Sequence, residues 1–209
     1  MKKRVLVLGC GIIGVTSAYV LAKRGYEVAV IDRQSEAAAE TSFANGGQLS
    51  YSHAEPWANP HILPKVFKWM GKDDAPLVFR PSTDRHMISW GLQFLRNCTN
   101  AHADRNSINT LRLNLYSQKK MAELCDETRI DFDRVQKGVL HVFTNQEDLD
   151  HAIEQSKFQL RYGCAMEPLD AKGCIALEPA VAHSGKPIIG GVHALIVENG
   201  DANKCGALR

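Results

Sequence analysis

No apolar run in this chain reaches the roughly 20 residues that a bilayer-crossing helix needs, so a transmembrane span is not expected. Charge of one sign is also scarce in excess: 25 Lys and Arg stand against 23 Asp and Glu, and bulk electrostatics give no support to nucleic-acid binding. The six cysteines (Cys10, Cys98, Cys125, Cys164, Cys174 and Cys205) form no CxxC and no metal-type spacing with the eight histidines. Free thiols in a reducing, cytoplasmic compartment, and no metal, are the expectation. No Ser/His/Asp or Cys/His nucleophilic arrangement can be argued from spacing. His53, His61 and His86 fall in a connecting region, while His141 and His193 alternate with apolar neighbours and read as structural. What remains is ordinary globular material, 44% hydrophobic and 23% charged, enough for one large domain or parts of two.

Against this background stands Gly9-Cys10-Gly11-Ile12-Ile13-Gly14, which follows the apolar strand Val5-Leu6-Val7-Leu8 and opens a helical run. A lone GxGxxG is weak evidence, but here strand, turn, helix, second strand and terminal acid come in the order and spacing of a dinucleotide-binding βαβ unit. Gly9 permits the tight turn, Gly11 lets backbone approach a pyrophosphate, and Gly14 lets helix and strand pack closely. The helix N-terminus offers N–H groups to the phosphates. Val15, Ala18, Tyr19 and Ala22 recur at helical spacing, Lys23 and Arg24 suit the last turn, and Gly25 stops the helix. Glu27 to Ile31 then reads as a β-branched strand, with Asp32 at its carboxyl end where a ribose would lie. An acid there favours FAD or NAD over NADP. The basic start, Lys2-Lys3-Arg4, imitates a signal peptide, but the glycines and the second strand oppose that reading.

A plain NAD-type domain would next build a third parallel strand. Instead Arg33 to Gln48 is polar and small, with Thr41, Ser42, Asn45 and Gln48 around Gly46-Gly47, a composition suited to close approach to a ligand. Residues 51–81 are rich in Pro, His and Trp and read as a crossing segment with one short helix at Leu63–Met70. Beyond it the periodicity predicts helices over Ser82–Asn97 and Asp104–Thr128, whose apolar stripes read as core. A hairpin of Phe132–Gln136 and Val139–Phe143 about Lys137-Gly138 is predicted next. A helix over Gln146–Tyr162, a strand at Ala165–Leu169, a capped helix at Asp170–Leu177 and a strand at Ile188–Val197 follow. The fold class is therefore α/β at the start and α+β overall. Residues 1–80 read as the beginning of a nucleotide-binding domain with a ligand-side loop, and residues 81–209 as part of a helical and antiparallel-sheet domain.

Three segments carry a resemblance to a known family: Val7-Leu8-Gly9-Cys10-Gly11-Ile12-Ile13-Gly14-Val15, Val30-Ile31-Asp32-Arg33 and Glu40-Thr41-Ser42-Phe43-Ala44-Asn45-Gly46-Gly47-Gln48-Leu49-Ser50. Together they resemble the bacterial D-amino acid dehydrogenases, small subunit, of the FAD-dependent D-amino acid oxidase superfamily. Ala75-Pro76-Leu77, Trp90, Leu95-Arg96-Asn97-Cys98 and Ala176-Leu177-Glu178-Pro179-Ala180 extend the similarity. The resemblance implies a Rossmann-like FAD-binding unit followed by a substrate domain. It implies oxidation of D-amino acids to 2-oxo acids and ammonia, with electrons passing to a quinone or other membrane-linked acceptor. By matching position, Gly9, Gly11, Ile12, Ile13 and Gly14 would line the pyrophosphate, and Asp32 and Arg33 the adenosine side. Thr41, Ser42, Asn45, Gly46, Gly47, Gln48 and Leu49 would line the phosphate and flavin side. A cytoplasmic protein, peripheral to the inner face of the plasma membrane, is implied.

The resemblance also implies that residues 201–209, which look like the opening of a helix, lie midway along a full-length member. The family's carboxylate-binding arginine falls outside the chain, so no catalytic residue is assigned. A fragment enzymatic only beside a chain supplying the C-terminal half, an inactive remnant, and a glycine- or sarcosine-type amine oxidase are the alternatives. A two-strand nucleotide unit without its neighbours would leave edges and apolar faces uncovered.

Overall fold

A computed structural model of the chain describes residues 3–69 and 83–206. The Ala75-Pro76-Leu77 segment, the expected helix end at Met70, Ser82 and the last three residues lie outside that range. The chain opens with β1 (Arg4–Leu8), α1 (Ile12–Lys23) and β2 (Glu27–Ile31), and the strands pair in parallel from Arg4 opposite Glu27 to Leu8 opposite Ile31. Gly25, at φ +86°, takes the left-handed turn that closes α1 and that L side chains rarely adopt. No further strand joins this sheet among the described residues. Leu6, Leu8 and Ile31 consequently stay exposed, Leu8 at 76%.

From Asp32 the chain runs without regular structure to the two-residue β3 (Gln48–Leu49), as the missing third strand foretold. Four helices follow before the last two strands of the second sheet: α2 (Ile62–Trp69), α3 (Arg85–Asn97), α4 (Asn100–Thr128) and α5 (Gln146–Leu160). Short polar side chains start the last three by accepting from the first free N–H groups: Asp84 from His86, Thr99 from His102, Asn145 from Asp148. The Thr99 cap explains why α4 begins at Asn100 and not at Asp104, since the polar Asn100-Ala101-His102-Ala103 turn shows no apolar stripe. Arg129, left-handed at φ 52°, ends it.

The second sheet is antiparallel, in the order β4 (Val139–Phe143), β6 (Gly190–Ala194), β5 (Met166–Asp170). The helix α6 (Ala171–Leu177), capped by Asp170, and a 3-10 turn over Pro179–His183 connect β5 to β6. Every residue of β6 is buried. A Cβ on Gly191 would stand 2.7 Å from the Cys174 sulfur and 2.6 Å from the His141 carbonyl oxygen, so α6 and β4 can close on this strand only because a side chain is missing there. Leu111 of α4, Cys164 and Ala54 form the buried core, flanked by Leu115, Tyr162, Met166 and Ile196.

The expected hairpin of Phe132–Gln136 with Val139–Phe143 does not form. β4 pairs with β6, and Val135 makes only an isolated bridge to Asn199. Lys137-Gly138 does turn the chain, with Gly138 at φ +74°, but the residues before it are drawn to the far strand β7 (Glu198–Asn199). The cause is electrostatic: Arg134 reaches Glu198 through two hydrogen bonds of 2.7 and 3.0 Å, and Gln136 adds a third at 3.0 Å. The expected strand at Ile188–Val197 is likewise shorter, because the chain turns after Ala194 to reach β7.

Arg134 and Glu198 side chains are only 20% and 6% exposed. Replacing Arg134 by Met would strand the Glu198 carboxylate, and we expect a loss of about 3 kcal/mol in unfolding free energy, measured by urea denaturation. The double variant Arg134→Met, Glu198→Leu should recover part of that loss. Equal losses in both would show that the buried charge is not the cause.

Candidate functional site

The glycine turn is held from three sides. Gly9, at φ +99°, donates to the Ile31 carbonyl at 2.7 Å, which brings the turn over the end of β2. A Cβ on Gly14 would lie 1.9 Å from the Gly9 carbonyl oxygen, so the start of α1 can rest on the turn only with hydrogen at that position. Gly11 serves differently. It is the N-cap of α1 at φ −72°, a conformation open to any residue, and a Cβ there would meet the Ser42 hydroxyl at 3.3 Å. Its lack of a side chain keeps space open and relieves no backbone strain.

Asp32 closes the turn. One carboxylate oxygen accepts from Cys10 N at 2.5 Å and the other from Gln34 N at 2.8 Å. These two backbone donors, Gln34 first, hold its carboxyl below the ordinary carboxylate range. Arg33 turns away, gripping Glu40 at 2.6 and 2.7 Å, and this guanidinium, with Gln34 behind it, pulls Glu40 down to about 2. A cavity of about 400 Å³ lies against Asp32, lined also by Cys10, Ile31, Gln34 and Glu36.

On the other side of the turn, Ser42 accepts from Ile12 N at 3.0 Å and so caps α1, a task the N-cap Gly11 cannot perform. Asn45 folds the 41–47 loop upon itself: its amide donates to the Thr41 and Ser42 carbonyls, both at 2.9 Å, and its oxygen accepts from Gly47 N at 2.7 Å. Gly47, at φ +61°, presses against Gly200, where a Cβ would come within 2.2 Å of the carbonyl oxygen. The result is a cavity of about 330 Å³ that Ile12, Thr41, Ser42, Asn45, Gly47, Gln48 and Leu49 all line.

Of the residues singled out from sequence, these seven converge on one cavity and Asp32 on its neighbour across the glycine turn. Gly9, Gly11 and Gly14 shape the backbone between them. Three stand apart: Ile13 is 77% exposed, Gly46 has open space around it, and Arg33 is spent on Glu40. Sequence reasoning missed Thr16, Met121, Phe132, Gly200, Ala202 and Cys205, which complete the first cavity. Gly200, Ala202 and Cys205 arrive through the antiparallel pairing of β3 with β7 and through α7 (Ala202–Gly206), where Asn203 donates to the Ala38 carbonyl at 3.1 Å. No local motif announces them; the nearest signal was Asn199-Gly200-Asp201, a turn composition after an apolar run.

A third cavity, of about 540 Å³, shares Gln48 with the first and extends between the 50–55 loop, the second sheet and α5. His141 lines it, while His193 is buried on β6 with its ring nitrogen 3.0 Å from the Lys137 carbonyl. Among the described residues no cluster of His, Cys, Asp or Glu has the arrangement of a metal site.

A family profile described as DAO, FAD dependent oxidoreductase, matches residues 4–202. The chain is 42% identical over 201 residues to a D-amino acid dehydrogenase of Dechloromonas aromatica, covering 96% of this chain and 48% of that protein. It is 45% identical over 202 residues to one of Paramagnetospirillum magneticum, with the same shares. The chain thus spans about half the length of the curated relatives it matches. Among solved structures, a glycine oxidase from Geobacillus kaustophilus has the same fold over 99% of this chain and 43% of its own (TM-score 0.65, 20% identity). An L-alpha-glycerophosphate oxidase from Mycoplasma pneumoniae with FAD bound follows over 100% and 42% (TM-score 0.60, 19% identity).

The depressed Asp32 carboxyl has a testable sign. Its contribution to the turn is present above the ordinary value of 3.8 and lost as pH falls through the lower folded value. The amide proton shifts of Cys10 and Gln34 should therefore titrate together with a midpoint below 3.8, and Asp32→Asn should abolish the transition. A midpoint at or above 3.8 in the folded protein would contradict the two hydrogen bonds.

Proposed function

Because the chain belongs to the FAD dependent oxidoreductase family, we propose that it is the nucleotide-binding and substrate-facing half of an enzyme that oxidises D-amino acids to 2-oxo acids and ammonia. The observation that carries this reading is the 42–45% identity to proteins named D-amino acid dehydrogenase, over nearly the whole chain. The site fits the cofactor of the family. Two cavities flank a turn whose backbone is bared by Gly9, Gly11 and Gly14, and the second and third N–H groups of α1, from Ile13 and Gly14, have no intrahelical acceptor.

In this reading the pyrophosphate of FAD lies over Gly9, Gly11, Ile12, Ile13 and Gly14. Asp32 takes the ribose, and Arg33, through Glu40, steadies the loop on the adenosine side. Thr41, Ser42, Asn45, Gly46, Gly47, Gln48 and Leu49 form the flavin side. When bound, FAD would supply the two-electron acceptor for oxidation at the substrate Cα. The protein's share is to hold that carbon over the cavity beside Gln48 and to keep water from it. The division at residue 80 belongs to the same proposal, with β7 and α7 returning to the first unit.

Electrons leave to a quinone or other membrane-linked acceptor, with the protein peripheral to the inner face of the plasma membrane. No helix among the described residues is long and apolar enough to cross a membrane. A polypeptide corresponding to the other half of the relatives' length is the proposed partner, and the exposed Leu6, Leu8 and Ile31 of β1 and β2 favour one.

Gly11→Val tests the cofactor site, because φ −72° accepts valine while its methyl groups would stand in the pyrophosphate path. We expect FAD affinity, read by quenching of flavin fluorescence, to fall at least about tenfold, with a drop in melting temperature no larger than loss of the Ser42 cap, which the valine Cβ would crowd at 3.3 Å, accounts for. Gly91→Ala on α3, where a Cβ meets nothing, should leave both intact. Undiminished affinity in Gly11→Val would sink the assignment. Reconstituted with the complementary half, the chain should reduce a quinone-type dye with D-alanine. Turnover of sarcosine with oxygen in its place would establish the glycine-oxidase reading.

A further inference from the structure

Helix α3 leaves its apolar side uncovered. Met87, Ile88, Trp90, Leu92, Phe94 and Leu95 fall on slightly more than half of its circumference, with Arg85, Ser89, Gln93 and Arg96 on the rest. Sequence alone reads that stripe as core, yet no residue of α3 is buried. Ile88, Trp90, Leu92 and Leu95 are each more than half exposed, and Met87 and Phe94 are partly covered. Among the described residues no other helix or strand packs extensively on α3. Its charges are of one sign. Arg85 and Arg96 stand exposed at its two ends, side by side on the wheel and bordering Leu92, with no Asp or Glu between them. Neither is spent on an ion pair among the described residues. Arg85 occupies the first turn, where a cation opposes the helix dipole, so the stability of the helix itself does not account for it.

We propose that α3 is the surface by which the protein docks on an anionic bilayer, lying along the headgroup layer. Ile88, Leu92 and Leu95 face the acyl chains, and Arg85 and Arg96 meet lipid phosphates. This rests on the reading above in which electrons leave to a membrane-linked acceptor, and it names the surface that meets the membrane. With 13 residues α3 is too short to cross a bilayer, so it can only lie in the interface. An apolar arc bordered by cations, on a helix of low overall hydrophobicity, is the composition of such interfacial helices. Leucines alone would equally suit a protein partner, and the charge decides between them. A folded partner covering this face would have to take both guanidinium groups out of water or bring an acid to each end of the helix. An anionic membrane presents hydrocarbon beside phosphate, in the order that α3 displays.

The test measures co-sedimentation of the FAD-loaded chain, assembled with its complementary half, on vesicles of phosphatidylcholine alone and of an equal mixture with phosphatidylglycerol. We expect partitioning at least about tenfold stronger on the mixture, and a preference within about twofold once Arg85→Gln and Arg96→Gln are combined. Leu92→Gln with Leu95→Gln should weaken binding to the mixture at least about tenfold. Leu113→Gln on α4, a leucine still more exposed, should change nothing. In the unmutated protein the amides of Ile88 to Leu95 should gain hydrogen-exchange protection on the mixed vesicles, a readout that needs no variant. Binding that survives the double leucine variant, binding without that protection, or equal partitioning to both vesicles would overturn α3 as the docking surface and leave the membrane-linked reading standing. Binding by the chain alone that vanishes on assembly would show that the complementary half covers α3, and would overturn the proposal too. Oxidation of D-alanine by an assembled enzyme that binds neither vesicle would overturn the membrane-linked reading with it.

Discussion

The buried ion pair of Arg134 and Glu198 is the contact on which the arrangement of the site depends. Glu198 opens β7, and β7 is the strand that pairs with Gln48 and Leu49. Without it, the 41–49 loop would have nothing to close against, and Gly200, Ala202 and Cys205 would not reach the first cavity. Two charges are taken out of water for this purpose, a cost that three hydrogen bonds to one carboxylate offset. Tyr51 stands beside the pair, its hydroxyl buried with no hydrogen-bond partner among the described residues and pushed up to about 12 by burial and then by Glu198. Cys125 is raised for the same first reason. The surroundings are sheltered, which strengthens the Arg134–Glu198 attraction and raises the cost of leaving either partner alone.

Much of the first unit was legible because its determinants are local. A βαβ unit is specified by strand periodicity, turn glycines and a terminal acid, all within residues 4–32, and the bounds of β2 came out as read. The helix start at Gln146 and the cap at Asp170 were equally plain, since a cap acts within three residues of itself. The hairpin about Lys137-Gly138 failed for the converse reason. Val135 has a β-branched neighbour in Val139 and a suitable turn between, but Glu198 outcompetes it from 64 residues away. Nothing in a short window can register that.

The cavities divide along the same line. Thr41, Ser42, Asn45 and Gln48 were found because small polar residues around paired glycines have few uses other than close approach. Met121 and Phe132 look like any core residues in their own segments and become lining only when α4 and the following loop fold across the glycine turn. Gln159 is harder still. On an amphipathic helix a glutamine reads as solvent-facing, and only the packing of the 50–55 loop and the second sheet over α5 makes its oxygen a buried acceptor.

The pairing of Gln48 with Asn199 also sets a clock. The two residues are separated by about 150 positions, which a ribosome adding 5–20 residues per second covers in roughly 8 to 30 s. Through that interval the glycine turn and the 41–49 loop have been synthesised while Gly200, Ala202 and Cys205 of the cavity wall have not. The first cavity therefore gains its last wall well after the βαβ unit that opens it, once Asn199 has emerged to pair with Gln48.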